Sequence, residues 1–395
     1  MPRADEPVVI LSARRTPIGA FQGALAPLAA PALGSIATAA AVADAGVPLD
    51  AIDDAILGCC LFAGLKQAPA RQAVLGAGLP DRVPCTTLSK MCGSGLRAIT
   101  LIHDQLCAGS ITVGLAGGME SMTNAPHLLT RARAGYRLGH GQLHDHLFLD
   151  GLEDAYEGQL MGYYADTIAE ELGIGRAAQD ACAAESVRRA QAAVASGAFD
   201  AEIAPVAANA GRARVALVRD ETPATCDAER LASARAAFRP NGSVTAGNAS
   251  SISDGAAALV LARQSTAAAH GRTPLARIVG HATHAQAPSR FTTAPAHAVN
   301  KLLAQIGWEV ADVDLFEINE AFAVVALIAR QALDIPADRL NVDGGACALG
   351  HPIGATGARL VVTLIHALRR RGLRRGIAAL CIGGGEAAAI AIETG

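Results

Sequence analysis

Aromatic residues, excess charge of either sign and long apolar runs are all scarce in this sequence of 395 residues. Aromatics make up only 3% of the chain although 51% is apolar, so alanine and glycine must do much of the packing. Acidic and basic residues nearly balance, 36 against 33, and there is no basic stripe of the kind that binds nucleic acid. We interpret the arginines between 369 and 375 as a solvated helix end, with phosphate contact as the alternative.

Nine cysteines are present, but no CxxC pair occurs, which argues against a zinc knuckle or a disulfide framework. This usage fits a reducing cytoplasm best. The apolar run at 321–329 is too short to cross a bilayer, and neither end of the sequence resembles a secretory or peroxisomal signal. We therefore expect a cytoplasmic protein with no membrane contact, no nucleic-acid partner and no metal site.

Short apolar strands alternate with helical stretches, which is the pattern of an α/β protein, and the length suggests two or three domains. Strands are predicted at 8–11, 56–58, 111–116, 315–318, 377–381 and 388–392. Helices are predicted at 33–45, 93–107, 178–196, 295–306, 321–333 and 354–370.

A weak internal repeat relates residues 94–103 to residues 356–366. Each segment begins with a small-residue Gly-x-Arg pattern and continues into Thr-Leu-Ile-His, and each is followed by a strand rich in glycine. Two halves of similar topology are one explanation, and chance similarity between two small-residue helices is the other. The stretch 121–248 is more polar, and we interpret it as an insertion of loops and helices.

Cys92 lies in a Lys-Met-Cys-Gly-Ser-Gly motif between a predicted strand and a predicted helix. A cysteine beside a helix N-terminus has unpaired amides close to its sulfur, and these favour a thiolate. The neighbouring glycines would let a substrate carbonyl approach the backbone. The alternative is a buried cysteine that acts only as a small apolar residue.

Three further motifs carry candidate chemistry. His351 lies in a Gly-His-Pro-Ile-Gly segment before a helix, where it could take a thiol proton or serve only as a loop residue. Cys381 ends a strand before three glycines, which could expose backbone amides or form only a turn. Asn319 lies at a strand-to-helix junction, where it could hold a water against a substrate or act only as an N-cap.

Taken together, these motifs resemble those of the thiolase family, and specifically its biosynthetic acetoacetyl-CoA thiolases. The resemblance also covers residues 15–21, 116–122, 245–250 and 254–257, so it extends in order over nearly the whole chain. It implies a thiolase-like α/β fold with two similar halves, each holding a mixed five-stranded sheet with layered helices. The implied boundaries are 1–120 with 249–270 for the first half, 121–248 for an inserted loop domain and 271–395 for the second half.

The resemblance implies a role for each catalytic residue in a reversible condensation of two acetyl-CoA to acetoacetyl-CoA and CoA. Cys92 is the nucleophile that carries the acyl group, and His351 activates it. Cys381 is the second acid/base, acting at the substrate α-carbon. Asn319 holds a water in one oxyanion site, and the amides of Cys92 and Gly383 form the other. No cofactor is expected, and CoA is substrate or product.

The resemblance also implies acyl-CoA contacts and a homo-oligomer, commonly a tetramer built as a dimer of dimers. Ser250 matches a serine that touches the pantetheine arm, and Met161 and Phe322 match residues of a pocket for short acyl chains. The further residues assigned to the substrate and CoA site are Ala246, Phe238 and Leu152.

Three departures from the family pattern, and three competing functions, accompany this prediction. Leu160 replaces a common histidine, Pro223 falls near where an arginine commonly meets the CoA nucleotide, and Glu386 is unusual after the triple glycine. The competing functions are a degradative 3-ketoacyl-CoA thiolase of broader chain length, an aromatic-pathway thiolase for a substrate such as 3-oxoadipyl-CoA, and a non-catalytic CoA or lipid carrier.

Overall fold

The structure is a computed structural model that describes residues 6–210 and 213–395. Residues 1–5, predicted as part of the first half, and residues 211–212, predicted as part of the insertion, lie outside the described residues. The domain boundaries themselves stay a prediction.

Strands and helices alternate along the described chain. The strands are β1 (Val8–Arg15), β2 (Gly19–Ala20), β3 (Asp54–Gly58), β4 (Cys85–Leu88), β5 (Val113–Ser121), β6 (His127–Leu128), β7 (His144–Asp145), β8 (Val206–Ala210), β9 (Ala213–Leu217), β10 (Ser253–Arg263), β11 (Ala276–Ala285), β12 (Leu315–Ile318), β13 (Arg375–Ile382) and β14 (Glu386–Glu393). The helices are α1 (Ala30–Ala45), α2 (Pro69–Gly76), α3 (Ser94–Ala108), α4 (Met161–Glu171), α5 (Arg176–Ser196), α6 (Thr222–Thr225), α7 (Gln264–Ala269), α8 (Ala294–Ile306), α9 (Ala323–Leu333), α10 (Ala346–Leu349) and α11 (Ile353–Arg371).

The main sheet consists of two half-sheets with the same arrangement of strands. In the first, β5 lies between parallel β3 and antiparallel β10, with β4 and β1 at the edges. In the second, β13 lies between parallel β12 and antiparallel β14, with β11 beyond β14. The internal repeat in the sequence therefore corresponds to a repeated topology.

The two half-sheets are joined where β1 pairs with β11 over only two residue pairs, which makes one sheet of ten strands. The second half-sheet has four strands where five were predicted. A single parallel bridge between Phe316 and Leu340 occupies the fifth place. The strand cannot continue there because the next residue, Asn341, adopts a left-handed conformation with φ of 47°.

Helices α3 and α11 lie side by side between the half-sheets and form the middle of the largest apolar cluster. Helices α1 and α2 cover the outer face of the first half-sheet, and α8 covers the outer face of the second together with α9. Small residues bring the central helices together, because a Cβ at Gly95 would lie 2.7 Å from the backbone nitrogen of Ala358. The scarcity of aromatics thus accompanies close packing of backbones.

Strand β5 runs five residues past the predicted end at residue 116 because its glycines are required by packing. Glycine usually weakens a strand, so its presence along this one needs a packing reason. A Cβ at Gly118 would collide with the carbonyl oxygen of Gly354, at the start of α11. The extension brings the end of β5 against the N-terminus of that helix.

The more polar stretch between β5 and β10 contains two small hairpins, β6–β7 and β8–β9, and the helices α4 and α5. One turn of π-helix, Phe148–Leu152, precedes α4. Among the described residues, no helix is both long and apolar enough to cross a membrane.

Candidate active site

Cys92 lies on a tight turn that leads into α3. Met91 adopts a left-handed conformation with φ of 46°, which is unfavourable for a residue with a side chain and must be held by its surroundings. Ser94 provides this support. Its hydroxyl donates to the carbonyl of Met91 at 2.7 Å and accepts from the amide of Lys90 at 2.8 Å. The turn therefore presents the Cys92 sulfur in a fixed position before the helix.

His351 lies in the loop before α11, and one of its ring nitrogens is fixed by a neighbour. Its Nδ1 is 2.6 Å from the hydroxyl of Thr356, and that hydroxyl donates to the carbonyl of Pro352 at 2.9 Å. Because the single hydroxyl proton is used toward Pro352, Nδ1 must be the donor to Thr356. Nε2 then carries a lone pair, and it has no hydrogen-bond partner among the described residues. This tautomer suits a proton acceptor.

Cys381 lies near the end of β13 and is only 1% exposed. The turn of glycines that follows leads into β14, and Gly384 and Gly385 have φ of 92° and 86°. This conformation is open to glycine and strained for other residues. The amides of Gly383 and of Cys92 itself point toward the Cys92 sulfur. The triple glycine thus directs backbone donors at the nucleophile.

One cavity of about 470 Å³ brings these side chains together. Cys92, His351, Cys381 and Gly383 all line it, although they are separated by up to 291 residues in the chain (383 − 92). It is also lined by the residues predicted for the acyl and CoA site, namely Ser250, Met161, Phe322, Ala246, Phe238 and Leu152. The structure thus gathers ten of the eleven predicted site residues around a single space.

Asn319 is the exception, since it is fully buried but is not among the residues that line the cavity. Its amide continues the pairing of β12 with β13 by donating to the carbonyl of Ala379 at 3.0 Å. Neither polar atom of its side chain has a hydrogen-bond partner within residues 6–210 and 213–395. A buried amide without partners is costly, so the side chain is available for a further polar contact close to Ala321, which does line the cavity.

The prediction that the helix N-terminus lowers the pKa of Cys92 is wrong in direction. Removal from water raises the pKa of the Cys92 thiol to about 11, and the two amides that point at the sulfur only partly offset this effect. Burial, together with the charge of Arg359, lowers the pKa of His351 to about 3. At neutral pH the pair therefore rests as thiol and neutral imidazole, and the proton must move when the sulfur attacks.

Burial also raises the pKa of Cys381 well above its usual range, and the nearby Cys92 sulfur adds to this effect. Both cysteines are therefore thiols at rest. A thiolate at Cys381 would be a strong base because it is held in apolar surroundings, mainly the cluster that contains Phe322 and Val325. Such a base fits removal of a weakly acidic proton next to a thioester carbonyl.

Several residues that support the site were not identified from the sequence. The buried carboxylate of Glu120 accepts from the amides of Cys60, Leu61 and Gly354 at 2.9 to 3.1 Å, so it ties the start of α11 to the first half. Glu120 stands in the segment 116–122 that carries part of the family resemblance, but its buried position could not be inferred there.

A second buried carboxylate, Glu320, supports the loop that carries His351. It accepts from Ser186 Oγ at 2.7 Å, from Asn341 Nδ2 at 2.8 Å and from the amide of Cys347 at 3.2 Å. It follows Asn319 directly in the chain, which is the only sequence signal for it. The contacts fix the strand-to-helix junction of the second half against the glycine-rich segment before His351.

The three departures from the family pattern lie in different surroundings. Leu160 lines the cavity and adds to its apolar wall. Pro223 is buried in α6, where its carbonyl accepts from Gln191 at 3.0 Å. Glu386 forms an ion pair with Lys90, two residues before the nucleophile, which accounts for a residue that the sequence left unexplained.

Comparison with known proteins identifies the family of this chain. The family model for the thiolase N-terminal domain matches residues 8–265, and that for the thiolase C-terminal domain matches residues 272–394. An acetyl-CoA acetyltransferase of Escherichia coli (strain K12) is 47% identical over 98% of both chains, and one of Schizosaccharomyces pombe is 44% identical over 98% of both.

Solved structures give the same result. The crystal structure of the Bacillus anthracis acetyl-CoA acetyltransferase has a TM-score of 0.96 and 42% identity, covering 98% of this chain and 99% of that one. A thiolase of Ascaris suum in complex with coenzyme A has a TM-score of 0.93 and 40% identity, covering 98% of this chain and 100% of that one.

Proposed function

This chain belongs to the thiolase family, and from that membership we propose that it is an acetyl-CoA acetyltransferase that condenses two acetyl-CoA to acetoacetyl-CoA and CoA through an acyl group on Cys92. The observation that carries the proposal is the meeting of Cys92, His351 and Cys381 in one largely apolar cavity. The relatives named above are acetyl-CoA acetyltransferases, and this chain matches them over nearly their whole length, which supports the same substrate.

In the first step, the Cys92 thiol gives its proton to Nε2 of His351 as the sulfur attacks the acetyl carbonyl. The resting pKa values favour this order, because neither a thiolate nor an imidazolium is stable beforehand. The amides of Cys92 and Gly383 are directed where the oxyanion develops, and such donors contribute roughly 3 to 4 kcal/mol each. The sulfur of the leaving CoA takes the proton of the Cys381 thiol, so Cys381 becomes a thiolate while Nε2 of His351 keeps the proton from Cys92.

In the second step, another acetyl-CoA binds and Cys381 removes a proton from its α-carbon. The enolate needs hydrogen-bond donors at its oxygen, and we assign these to His351 and to a water held by Asn319. The partnerless amide of Asn319 and the partnerless Nε2 of His351 support this assignment within the described residues. The carbanion attacks the acetyl group on Cys92, and the Cys92 sulfur leaves and takes back its proton from Nε2 of His351 as acetoacetyl-CoA is released.

Every proton and electron pair in this scheme is handled by side chains, backbone amides and CoA itself. We therefore propose that the reaction uses no metal ion or redox cofactor, and that CoA takes part only as substrate and product. Run in reverse, the same groups cleave acetoacetyl-CoA with free CoA.

The test is to separate the two steps with two variants. Cys92→Ala should lose both condensation and cleavage and should no longer be labelled by radioactive acetyl-CoA. Cys381→Ala should still be labelled on Cys92 but should form no acetoacetyl-CoA. Labelling of Cys92→Ala at the wild-type level would contradict the proposal.

A degradative 3-ketoacyl-CoA thiolase of broader chain length is the second candidate, and one observation favours it. Leu160 joins Phe148, Leu152 and Phe238 on the cavity wall, so the space beside the thioester is apolar. Met161 lines the same space and argues for short chains. Cleavage rates for a series of 3-ketoacyl-CoA substrates distinguish the two, since our proposal expects kcat/KM to fall with each added pair of carbons.

An aromatic-pathway thiolase and a non-catalytic carrier have less support. No lysine or arginine is among the cavity-lining residues of the described chain, which disfavours a substrate with a free carboxylate such as 3-oxoadipyl-CoA. A non-catalytic carrier would not require two cysteines and a histidine around one thioester site. Burst labelling of Cys92 by acetyl-CoA distinguishes an enzyme from such a carrier directly.

We also propose that the protein is a cytoplasmic homotetramer. The exposed loop between β6 and β7 supports association, because Leu138 is 96% exposed and Leu143 is 68% exposed. Apolar side chains so exposed are typical of surfaces that another copy covers. Light scattering after size exclusion should give four chains for the wild type and fewer for Leu138→Asp with Leu143→Asp.

A further inference from the structure

A cluster of two histidines and one aspartate lies on the surface where α3 meets β11. His103 and Asp104 are in the last turns of α3, and His281 is on β11. Asp104 Oδ1 is 3.2 Å from His103 Nδ1 and 2.8 Å from His281 Nε2. Within the described chain, this is the one group of three potential ligand side chains whose ligand atoms all lie within 4.8 Å of one another.

The distances are close to those required by a bound divalent ion. With bonds of about 2.0 to 2.1 Å, ligand atoms around a tetrahedral Zn²⁺ lie roughly 3.4 Å apart. The separations of 3.2 and 2.8 Å from Asp104 Oδ1 are shorter than this value by roughly 0.2 and 0.6 Å, which side-chain rotations can supply. Two imidazole nitrogens with one carboxylate oxygen suit Zn²⁺ and its neighbours better than Mg²⁺ or Ca²⁺, which prefer oxygen.

The surroundings also fit such a site. The side chains of His103 and His281 are 17% and 20% exposed, so the rings are held by packing while solvent still reaches the cluster. The second ring nitrogen of His103, Nε2, lies 3.6 Å from Cys107 Sγ, one helical turn further along α3. A partner on the other ring nitrogen orients a ligating histidine and fixes its tautomer.

We propose that His103, Asp104 and His281 bind one Zn²⁺-like divalent transition-metal ion, with solvent completing its coordination. The site is outside the catalytic cavity and takes no part in the reaction. It joins α3, the helix that begins two residues after Cys92, to β11 of the other half-sheet. Binding to the folded protein alone stabilises it in proportion to the logarithm of the ion concentration, so the ion would tie the two halves together.

The proposal is tested by titrating the full-length protein with Zn²⁺ and measuring the heat of binding by calorimetry. The absorption of bound Co²⁺ is a second readout. Asp104→Asn keeps the shape and the hydrogen bonds of the side chain while weakening it as a ligand. His281→Ala removes a ligand from the other half. The matched control is His297→Ala, because His297 stacks on His284 elsewhere on the surface and could bind ions nonspecifically.

We expect wild type and His297→Ala to bind one equivalent of Zn²⁺ at this site, and Asp104→Asn and His281→Ala to bind it at least about tenfold more weakly. The thermal midpoint should rise with Zn²⁺ in the first two proteins and much less in the others. If the wild type binds no ion, or if either ligand variant keeps wild-type affinity, the cluster is a hydrogen-bonded group only and the proposal is overturned.

Discussion

The two halves of the molecule repeat one topology, but some buried polar groups that they place near the catalytic cavity differ in how fully they are hydrogen-bonded. In the first half, the carboxylate of Glu120 at the end of β5 accepts from three backbone amides. In the second half, Nε2 of His351 and both side-chain atoms of Asn319 have no partner among the described residues. The fully hydrogen-bonded carboxylate of Glu120 fixes the geometry of the backbone, while the unpaired atoms of His351 and Asn319 remain free for a substrate.

This difference indicates that two halves of the same topology contribute to the site in different ways. An unpaired buried polar group costs stability of about 1 to 3 kcal/mol, so it persists only where something else is gained. Here the unpaired atoms of His351 and Asn319 belong to the half that would supply the base and the enolate donors. The nucleophile comes from the other half, on a turn whose own polar groups are satisfied by Ser94.

Two buried asparagines of the second half test most directly whether unpaired polar groups serve catalysis and paired ones serve stability. Asn319 has a partnerless side chain, whereas Asn341 exchanges hydrogen bonds with both backbone groups of Ile318 and donates to Glu320. Asn319→Ala should lower kcat by about a hundredfold, as expected for lost oxyanion stabilisation, with little change in the free energy of unfolding. Steady-state kinetics and urea unfolding measure the two effects.

Asn341→Ala is the matched control and should show the opposite pattern in stability. It loses three hydrogen bonds and places alanine at a φ of 47°, so the free energy of unfolding should fall by about 3 kcal/mol or more. Equal loss of stability in both variants would mean that Asn319 is a structural residue, and that the halves do not differ as described.

The pH dependence of acylation tests whether the thiol of one half and the base of the other both stay uncharged at rest. With the pKa of His351 lowered to about 3 and that of Cys92 raised to about 11, the reactive thiol–imidazole pair persists from pH 5 to 9. The burst of CoA released from acetyl-CoA by Cys381→Ala should be level over this range. An imidazole with an ordinary pKa would slow it about thirtyfold at pH 5, and such a decline would contradict the burial argument.

The sequence was sufficient for the parts of this site that depend on chain order. The alternation of strands and helices indicated an α/β protein, and the resemblance to the thiolase family carried by the motifs around Cys92, His351 and Cys381 predicted the fold and ten residues of one cavity. Properties that depend on burial were beyond it. The direction of the Cys92 pKa was mispredicted because a helix N-terminus can be read from sequence, whereas the removal of a sulfur from water depends on distant residues.

Supporting contacts were missed for the same reason. Thr356 was noted only as part of the repeat and of the glycine-rich segment around His351, yet in three dimensions it sets the tautomer of His351. Met91 could not be assigned a left-handed conformation because its residue type does not favour one. The length of β5 was underestimated because its glycines are required by close packing against α11, a helix more than 200 residues away in the chain.

The role of Thr356 yields a smaller expected effect within the second half. Thr356→Val keeps the shape of the side chain but removes the acceptor of the His351 Nδ1 proton, so the ring can adopt the wrong tautomer. We expect kcat to fall about tenfold and Thr356→Ser to restore most of it. Thr363→Val on the same helix is the control, because Thr363 donates to Glu202 and not to His351. Equal kinetic losses in the two valine variants would exclude the tautomer argument.

The smallest effect is expected at an ion pair that joins the two catalytic turns. Lys90 precedes Cys92 by two residues, and Glu386 follows the turn whose Gly383 amide points at the sulfur, so their pairing holds that amide in place. Both side chains are partly exposed and the pair is screened by solvent, so its strength is at most about 1 kcal/mol. Glu386→Gln should therefore lower kcat only about two- to fivefold, and added salt should bring the wild type toward the variant.

The double exchange of Lys90→Glu with Glu386→Lys should recover part of the loss, whereas Glu171→Gln, which breaks the surface pair with Arg290, should leave kcat unchanged. A loss from Glu386→Gln that neither salt nor the exchange alters would show that the two halves are held in register by other contacts.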